Sequence, residues 1–275
     1  MHAGRLAAVL LVVAVVGGSL FVTTPARSQP TSAQPSTRFE HRFRIDSERV
    51  NAGPISIGAV RGVARGSYAL DLREGGHYAI KGGMRGTHFA YKTRLSFEVE
   101  GRLDGGAWVP SRYVARIQHD SVLAEDRTRE TRIDFDYVHG RAFARSTTKK
   151  DGARRVVYDN RPAGGVAIER GVKDPISALM DVLTADRGGE VQLRTVVNGS
   201  VVAYRVRDLG RQNVTVQGAA VPCRVRSLSI PAGAIDEHPY VFTLWSRQGN
   251  GRHILQARIA PAGSSLIARY ERTVP

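Results

Sequence analysis

The sequence predicts a mainly β fold, in which one long curled antiparallel sheet packs against one principal amphipathic helix. Two observations support this prediction. Apolar and polar residues alternate with a period of two along most of the chain, and one segment has the spacing of a helix instead. Period-two alternation places one face of a strand on a core and the other in water, as in an antiparallel sheet with one solvated face. An isolated amphipathic helix among strands must bury its apolar stripe against them.

The alternation is clearest in three segments of the chain. Apolar and charged residues exchange at each step of 132–137, and segments 95–100 and 113–117 follow the same pattern. Turn signals separate such segments, and the strongest is Asn198-Gly199 between two pairs of valines, which is typical of a two-residue hairpin. We therefore expect a high strand count, on the order of ten or more.

The helical segment is predicted to run from Pro175 to Ala185. Asp174 suits the N-cap position, Pro175 the first helical position and the glycines at 188–189 the end of the helix. Apolar side chains at i, i+3, i+4 and i+7 share one helical face and should pack on the sheet; they are Ile176, Leu179, Met180 and Leu183.

The first 28 residues predict export from the cytoplasm. A short basic start precedes an apolar run of 17 residues from Leu6 to Val22, and the small residues Ala26 and Ser28 suit a cleavage site after Ser28. A membrane-spanning helix needs about 20 apolar residues, so an uncleaved anchor is the alternative, at marginal length. We expect a signal peptide at 1–28 and a periplasmic mature protein that is not an integral membrane protein.

The remainder of the chain is predicted to form a single domain. Residues 29–38 are rich in Pro, Ser, Thr and Gln, a composition typical of a flexible leader. Residues 39–275 contain no second linker and no obvious internal repeat. That length is enough for one β-rich domain with a sizeable core.

The chain is strongly basic, and its positive charge is carried almost entirely by arginine. The formal net charge is +15, and 35 of the 40 cationic residues are arginine. Such charge suits anionic envelope lipids, whereas export argues against nucleic acid as a partner. The alternative is a solvated basic surface that reflects a GC-rich genome, since Arg205 and Arg207, and Arg224 and Arg226, alternate along strands. Both explanations stay open at the level of the sequence.

The sequence carries no recognisable catalytic motif. The nucleophile elbow, the P-loop, the zinc-protease motif and paired Cys-x-x-Cys are all missing, and the histidines are scattered. We therefore expect no catalytic residues, no metal and no cofactor. The single cysteine, Cys223, is expected to be a buried hydrophobe without function. The polar triplet Asp236-Glu237-His238 is expected to be a solvated loop.

Several short segments resemble a bacterial periplasmic family of unknown function, across roughly residues 45–270; they are 62–66, 76–80, 105–110, 133–136, 173–179 and 242–252. His253 departs from this pattern, because that family often has a proline there. Such proteins are similar in design to the lipoprotein-localisation carriers LolA and LolB. The resemblance implies a half-open barrel with its helix on the concave side and an apolar cavity there, and it implies no catalytic residues.

Three classes of function follow from these observations. The favoured one is a non-enzymatic envelope protein that holds an anionic lipid or a lipidated partner in the concave face of its sheet. The second is a scaffold that binds a periplasmic protein through an exposed edge or face. The least favoured is an enzyme whose residues converge only in the folded chain. The candidate cavity-lining residues for the first class are Ile176, Leu179, Met180, Leu183, Trp108 and Trp245.

The export prediction has a direct test at the N-terminus. The mature protein should begin near Gln29, because Ala26 and Ser28 occupy the positions that signal peptidase requires to be small. N-terminal sequencing of the secreted protein measures this start. An intact Met1 in a membrane fraction would instead support the uncleaved anchor.

Overall fold

A computed structural model describes residues 20–21, 37–52, 55–57, 60–88, 91–121, 126–150, 152–184, 189–230, 240–247, 251–252, 254–260 and 265–274. Most of the predicted signal peptide and leader lies outside these residues, as do the predicted helix end at 185–188 and the triplet at 236–238. No helix in the described part of the chain is long and apolar enough to cross a membrane.

The described residues form nineteen strands, one short 3₁₀ turn (Glu74–Gly76) and one α-helix, α1 (Pro175–Thr184). The strands are β1 (Leu20–Phe21), β2 (Thr37–Ala52), β3 (Ile55–Ile57), β4 (Val60–Leu72), β5 (His77–His88), β6 (Tyr91–Asp104), β7 (Ala107–Ser121), β8 (Arg127–Asp136), β9 (Arg141–Lys150), β10 (Ala153–Asp159), β11 (Val166–Ala167), β12 (Val172–Lys173), β13 (Glu190–Val197), β14 (Ser200–Val216), β15 (Ala219–Ile230), β16 (Tyr240–Arg247), β17 (Gly251–Arg252), β18 (Ile254–Ala260) and β19 (Ser265–Val274).

One large curled sheet contains almost all of these strands. Neighbours follow in the order β13, β14, β15, β16, β18, β19, β2, β4, β5, β6, β7, β8, β9 and β10, and every pairing in this run is antiparallel. The short strands β3 and β11 add to β2 and β9, and β1 pairs with β17. The predicted fold class, a long curled antiparallel sheet with one principal helix, is confirmed.

The two ends of this run meet at a seam. There, β12 pairs in parallel with β13 while β11 pairs with β9, and the chain itself passes from β11 to β12. Side chains hold the seam: Tyr137 Oη donates to the carbonyl oxygen of Val172 at 2.7 Å. Asn160 Nδ2 donates to the carbonyl oxygen of Gly199 at 3.3 Å. The sheet therefore curls into a barrel-like shape whose seam is held by side chains rather than by a continuous strand ladder among the described residues.

The predicted hairpin at Asn198-Gly199 is confirmed. Both residues have positive φ, 50° and 80°, and Val197 pairs with Ser200 across the turn. Positive φ at both central residues matches the right-handed twist of the flanking strands, which is why Asn-Gly is favoured there. The hairpin joins β13 to β14 beside the seam.

Close approach between strands and rings depends on glycines that face the barrel interior. A Cβ added to Gly66 would lie 2.4 Å from a ring carbon of Phe43, and one added to Gly82 would lie 2.4 Å from a ring carbon of Phe97. Each aromatic ring therefore covers a glycine on an adjacent strand, in a sheet whose curvature is further adjusted by bulges. Larger side chains at these glycines would push the rings out of the core.

Helix α1 lies in the concave side of the sheet, and seven of its ten residues are buried. Five of them belong to the same continuous core as the inward side chains of the strands, among them Phe43, Ile80 and Trp108. The apolar stripe predicted from the sequence is buried as expected; its members are Ile176, Leu179, Met180 and Leu183.

The N-terminus of α1 is fixed by polar contacts inside this core. Asp174 Oδ1 accepts hydrogen bonds from the backbone N–H groups of Ile176 (2.8 Å) and Ser177 (3.1 Å), which confirms the predicted N-cap. The hydroxyls of Ser177 and Tyr78 share a hydrogen bond of 2.8 Å, which ties the first turn of the helix to β5. These polar contacts alone therefore define the position of the helix against the sheet.

The Asp174 carboxyl is fully removed from water. It is 0% exposed, and its Oδ2 atom has no hydrogen-bond partner among the described residues. Burial raises its pKa from 3.8 to about 6, against the opposing effect of its hydrogen bonds. Burial, and then the Asp174 charge, also raise the pKa values of Tyr78, Tyr113 and Tyr137. The charge of this one carboxyl group therefore acts on three tyrosines.

The Leu179→Asp variant tests the packing of the helix. Leu179 is 3% exposed, so an aspartate there would bury a carboxylate with no designed partner, and we expect a loss of more than about 4 kcal/mol in the free energy of unfolding. Val138→Asp is the matched control, because Val138 is 90% exposed. Thermal melting compares the two variants. A Leu179→Asp protein that melts like the control would show that this face of the helix is not packed.

The Asp174→Asn variant tests the buried carboxyl. Because the folded-state pKa is raised, the native protein holds a proton that the unfolded chain has lost between about pH 4 and pH 6, so this group lowers the stability as the pH rises through that window. Asparagine also caps helices but does not titrate. Urea unfolding from pH 4 to pH 7 should show a difference between wild type and variant that changes by about 3 kcal/mol. Parallel pH profiles would contradict the raised pKa.

Candidate hollow beside the helix

A hollow of about 380 Å³ lies beside the C-terminal half of α1. Five parts of the fold form its wall: the turn between β6 and β7, the end of α1, and the strands β13, β14 and β15. The lining residues are Gly105, Gly106, Ala107, Asp181, Val182, Thr184, Gly189, Val191, Leu193, Val206, Asp208 and Arg226.

One side of the hollow is apolar. Val182 and Val206 belong to the buried core, and Leu193 is partly buried against it. Val191, two residues before Leu193 on the same face of β13, is exposed at the opening. The apolar wall is therefore continuous from the core to the surface.

Asp181 forms a polar corner of the hollow, and its two oxygens are occupied. Oδ1 accepts a hydrogen bond of 2.9 Å from the backbone N–H of Trp108, and Oδ2 pairs with Nζ of Lys173. Lys173 is almost entirely buried, so this ion pair ties β12 to the helix in a place that water scarcely reaches. Asp181 therefore positions α1 against the start of β7 rather than presenting a free carboxylate.

The opposite corner carries two arginines of β15. Arg224 donates from Nε (2.9 Å) and Nη2 (2.6 Å) to Oδ2 of Asp208, and this hydrogen bonding lowers the pKa of the Asp208 carboxyl. Arg226 stands opposite Asp208 in the strand ladder and is 5% exposed. Its charge also contributes to lowering the pKa of Asp208.

The sequence-based interpretation of these two arginines as part of a solvated strand face is wrong. Arg205 and Arg207 are indeed exposed on β14, but Arg224 and Arg226 lie on the inward face of β15 together with Leu228 and Ile230. Every second residue of a strand shares a face, so buried Leu228 and Ile230 require Arg226 to point inward. The alternation along β15 was therefore enough to predict that Arg224 and Arg226 point inward.

Charged side chains of both signs surround the hollow. Three cations, Lys173, Arg224 and Arg226, accompany the two carboxylates of Asp181 and Asp208. Within the described residues, no group of three or more His, Cys, Asp or Glu side chains is placed to hold a metal ion. The arrangement can hold an apolar group together with an anionic or hydrogen-bond-accepting head near the Arg226 guanidinium, which has five N–H donors.

The predicted cavity-lining residues are brought together only in part, and none of the six lines this hollow. The four helix residues Ile176, Leu179, Met180 and Leu183 share the filled core with Trp108. Trp108 packs edge-on against Tyr78, with ring centroids 4.8 Å apart. Trp245 lies on the outer face, where its indole N–H donates to Gln212 Oε1 at 3.0 Å. The hollow instead uses the side of the helix next to this stripe.

Cys223 is buried on the outer face of β15, in a small cluster with Val214 and Leu255. Burial raises the pKa of its thiol, which reduces the thiolate fraction and hence its reactivity. Its predicted burial as a small hydrophobe is confirmed.

Comparison with known proteins identifies the fold but no activity. The solved structure described as "Beta-barrel-like Protein of Domain of Unknown Function DUF1849 from Brucella abortus" is similar to this chain, with a TM-score of 0.51 and 10% sequence identity. The similarity covers 86% of this chain and 96% of that chain. At this identity, the similarity supports the barrel-like fold alone.

A family model described as "Protein of unknown function (DUF3108)" matches residues 49–260. This range falls within the segment whose motifs suggested a family of unknown function with a barrel-like design, and that expectation is confirmed. No curated protein matches the chain.

Proposed function

We propose, from the premise that this chain belongs to the DUF3108 family of proteins of unknown function, that it is a non-enzymatic exported protein of the cell envelope. In this proposal it binds an apolar group of an anionic lipid, or of a lipidated partner, in the hollow beside α1. The compartment rests on the signal-peptide pattern of the first 28 residues. The ligand class rests on the hollow.

The observation that carries the proposal is the combination of an apolar wall and a buried guanidinium. Val182, Leu193 and Val206 offer an apolar surface, and Arg226 adds a positive charge largely shielded from water. Apolar burial and charge attraction then act on the same molecule, as they do in the binding of anionic amphiphiles. A fully polar ligand would make no favourable contact with the apolar wall.

The size of the hollow limits the ligand to part of a lipid. A volume of about 380 Å³ is near the lower end of ligand pockets, which span about 300 to 1,000 Å³. Burying about eight methylenes would contribute about 6 kcal/mol. Association itself costs about 4 to 15 kcal/mol. We therefore expect weak binding of one chain, not enclosure of a whole lipid.

The second candidate function, a protein-binding scaffold, is supported by exposed apolar side chains on β10. Val156 and Val157 are each about half exposed, which is unusual for adjacent valines on a strand. Such positions favour a protein partner that covers them. The scaffold needs no ligand in the hollow, so ligand binding separates the two candidates.

Titration of the mature protein with a fluorescent fatty-acid probe tests the proposal. Wild type should show saturable binding, and Leu193→Trp should weaken it at least about tenfold, because the larger ring fills the apolar wall that buried methylenes would occupy. Val138→Trp is the control, since it adds the same ring at a fully exposed turn.

The Arg226→Gln variant, compared in the same assay, separates the head group from the chain. It should lose the preference for anionic over zwitterionic competitor lipid while retaining binding of the chain, because the positive charge is removed and the apolar wall is unchanged. Melting curves of each variant verify folding. Absence of saturable binding to folded wild-type protein would overturn the proposal and leave the scaffold as the better explanation.

A further inference from the structure

A row of five arginines crosses the outer face of the barrel. The strand register places Arg269 of β19 opposite Arg44 of β2, Arg44 opposite Arg65 of β4, Arg65 opposite Arg85 of β5, and Arg85 opposite Arg94 of β6. Adjacent strands lie about 4.8 Å apart, so five guanidinium-bearing side chains leave the sheet side by side. We call this set the arginine row.

The arginine row points away from the core. The residues that alternate with it along the strands are buried, among them Phe43, Met84 and Leu95. Because successive side chains point to opposite faces, the row belongs to the outer face. Arg65, Arg85 and Arg94 are exposed.

The carboxylates near the row neutralise only one end of it. Asp46 accepts from Arg44 (3.1 Å) and from Arg269 (2.5 Å). Within the described part of the chain, Arg65, Arg85 and Arg94 form no ion pair. Like charges directly opposite one another destabilise a sheet, so three adjacent arginines without acids oppose the stability of the fold.

Some arginines elsewhere on the surface do pair with acids. Arg132 pairs with Asp134 at 2.8 Å, Arg161 with Asp159 at 2.6 Å, and Arg205 with Glu190 at 3.0 Å. Arg65, Arg85 and Arg94 differ from these because they stand directly opposite one another on adjacent strands.

Three members of the row, Arg65, Arg85 and Arg94, line a groove of about 610 Å³. The floor of the groove is a second row of paired residues, two positions along the strands from the first. Arg42 and Arg116 lie at its ends, and the small residues Ser67, Gly83 and Ser96 lie between them. Short side chains there leave space between the arginines, and two of them supply hydroxyl groups. The charged side chains lining the groove are Arg42, Arg65, Arg85, Arg94, Arg116 and Glu271, an excess of four positive charges.

From this groove we infer an anionic membrane docking site, at which the lipid phosphates of a bilayer surface contact the arginine row. Guanidinium groups bind phosphate oxygens through paired hydrogen bonds. Three of them spaced about 4.8 Å apart offer several phosphates contacts at once, as a bilayer surface does. The groove shares no lining residue with the hollow beside α1, so this inference stands apart from the proposed function.

Vesicle co-sedimentation of the mature protein tests the docking site. Vesicles of equal parts phosphatidylglycerol and phosphatidylcholine should bind the protein in a salt-dependent manner, and pure phosphatidylcholine vesicles should not. The triple variant Arg65→Gln, Arg85→Gln, Arg94→Gln should bind on the order of 100-fold more weakly, at about fivefold for each arginine. Its melting temperature should equal or exceed that of the wild type, because repulsion between opposed charges is removed.

A second triple variant, Arg132→Gln, Arg161→Gln, Arg205→Gln, is the matched control. It has the same net charge but changes arginines that already pair with acids, so vesicle binding should fall only a few-fold. Equal losses in the two triple variants would show a general charge effect and overturn the site. Equal affinity for soluble polyphosphate and for vesicles would overturn the assignment to a membrane. The first triple variant should bind the fatty-acid probe like wild type, so failure here is distinguishable from failure at the hollow.

Discussion

The buried N-terminus of α1 fixes the geometry on which the rest of the interior depends. A curled sheet presents apolar side chains along a concave face, and a single helix of ten residues covers part of that face. Its first turn is held by Asp174 and by the bond between Ser177 and Tyr78, and its last turns by the pairing of Asp181 with Lys173. With both ends attached to different strands, the helix can neither slide nor rotate without leaving buried polar groups unpaired, at a cost of several kcal/mol. The hollow is the space that remains between this fixed helix and strands β13 to β15.

An unpaired charge costs much more free energy on the inner face of the sheet than on its outer face. Inside the barrel, Arg224 and Lys173 each pair with a carboxylate, because an unpaired charge away from water costs several kcal/mol. On the outer face, water and salt screen the repulsion between neighbouring charges, so the row through Arg65, Arg85 and Arg94 costs much less than it would inside. A sheet can therefore keep such a row where it favours binding of a partner, although the row opposes folding.

Local patterns in the sequence were enough to predict the elements of the fold, because each depends on near neighbours. Alternation predicts the strands, Asn198-Gly199 the hairpin and Asp174 the start of the helix, and each of these is confirmed. The same alternation also predicts that Arg226 points inward. An arginine in a strand is nevertheless expected first at a solvated position. The ladder sets Arg226 opposite Asp208, which places a carboxylate near the buried charge.

The two candidate sites were beyond local patterns because both depend on register between strands far apart in sequence. The hollow needs α1, β13 and β15 at one place, and the arginine row needs five strands aligned residue by residue. A shift of one residue in any strand would turn its arginine into the core and break the row. Four of the six predicted cavity residues form the helical stripe, and that stripe is part of the filled core. The hollow lies beside this stripe, at Val182.

The arginine row and the hollow lie far apart along the sheet. Strand β6 carries Arg94 of the arginine row, and the Gly105 that follows this strand lines the hollow. Eleven residues of extended chain span about 36 Å, which exceeds the thickness of about 30 Å of a bilayer's hydrocarbon core. A lipid whose phosphate contacts the row while it remains in a bilayer would have to extend its chain along this whole path to enter the hollow. The membrane docking proposed at the row and the chain binding proposed in the hollow are therefore separate events.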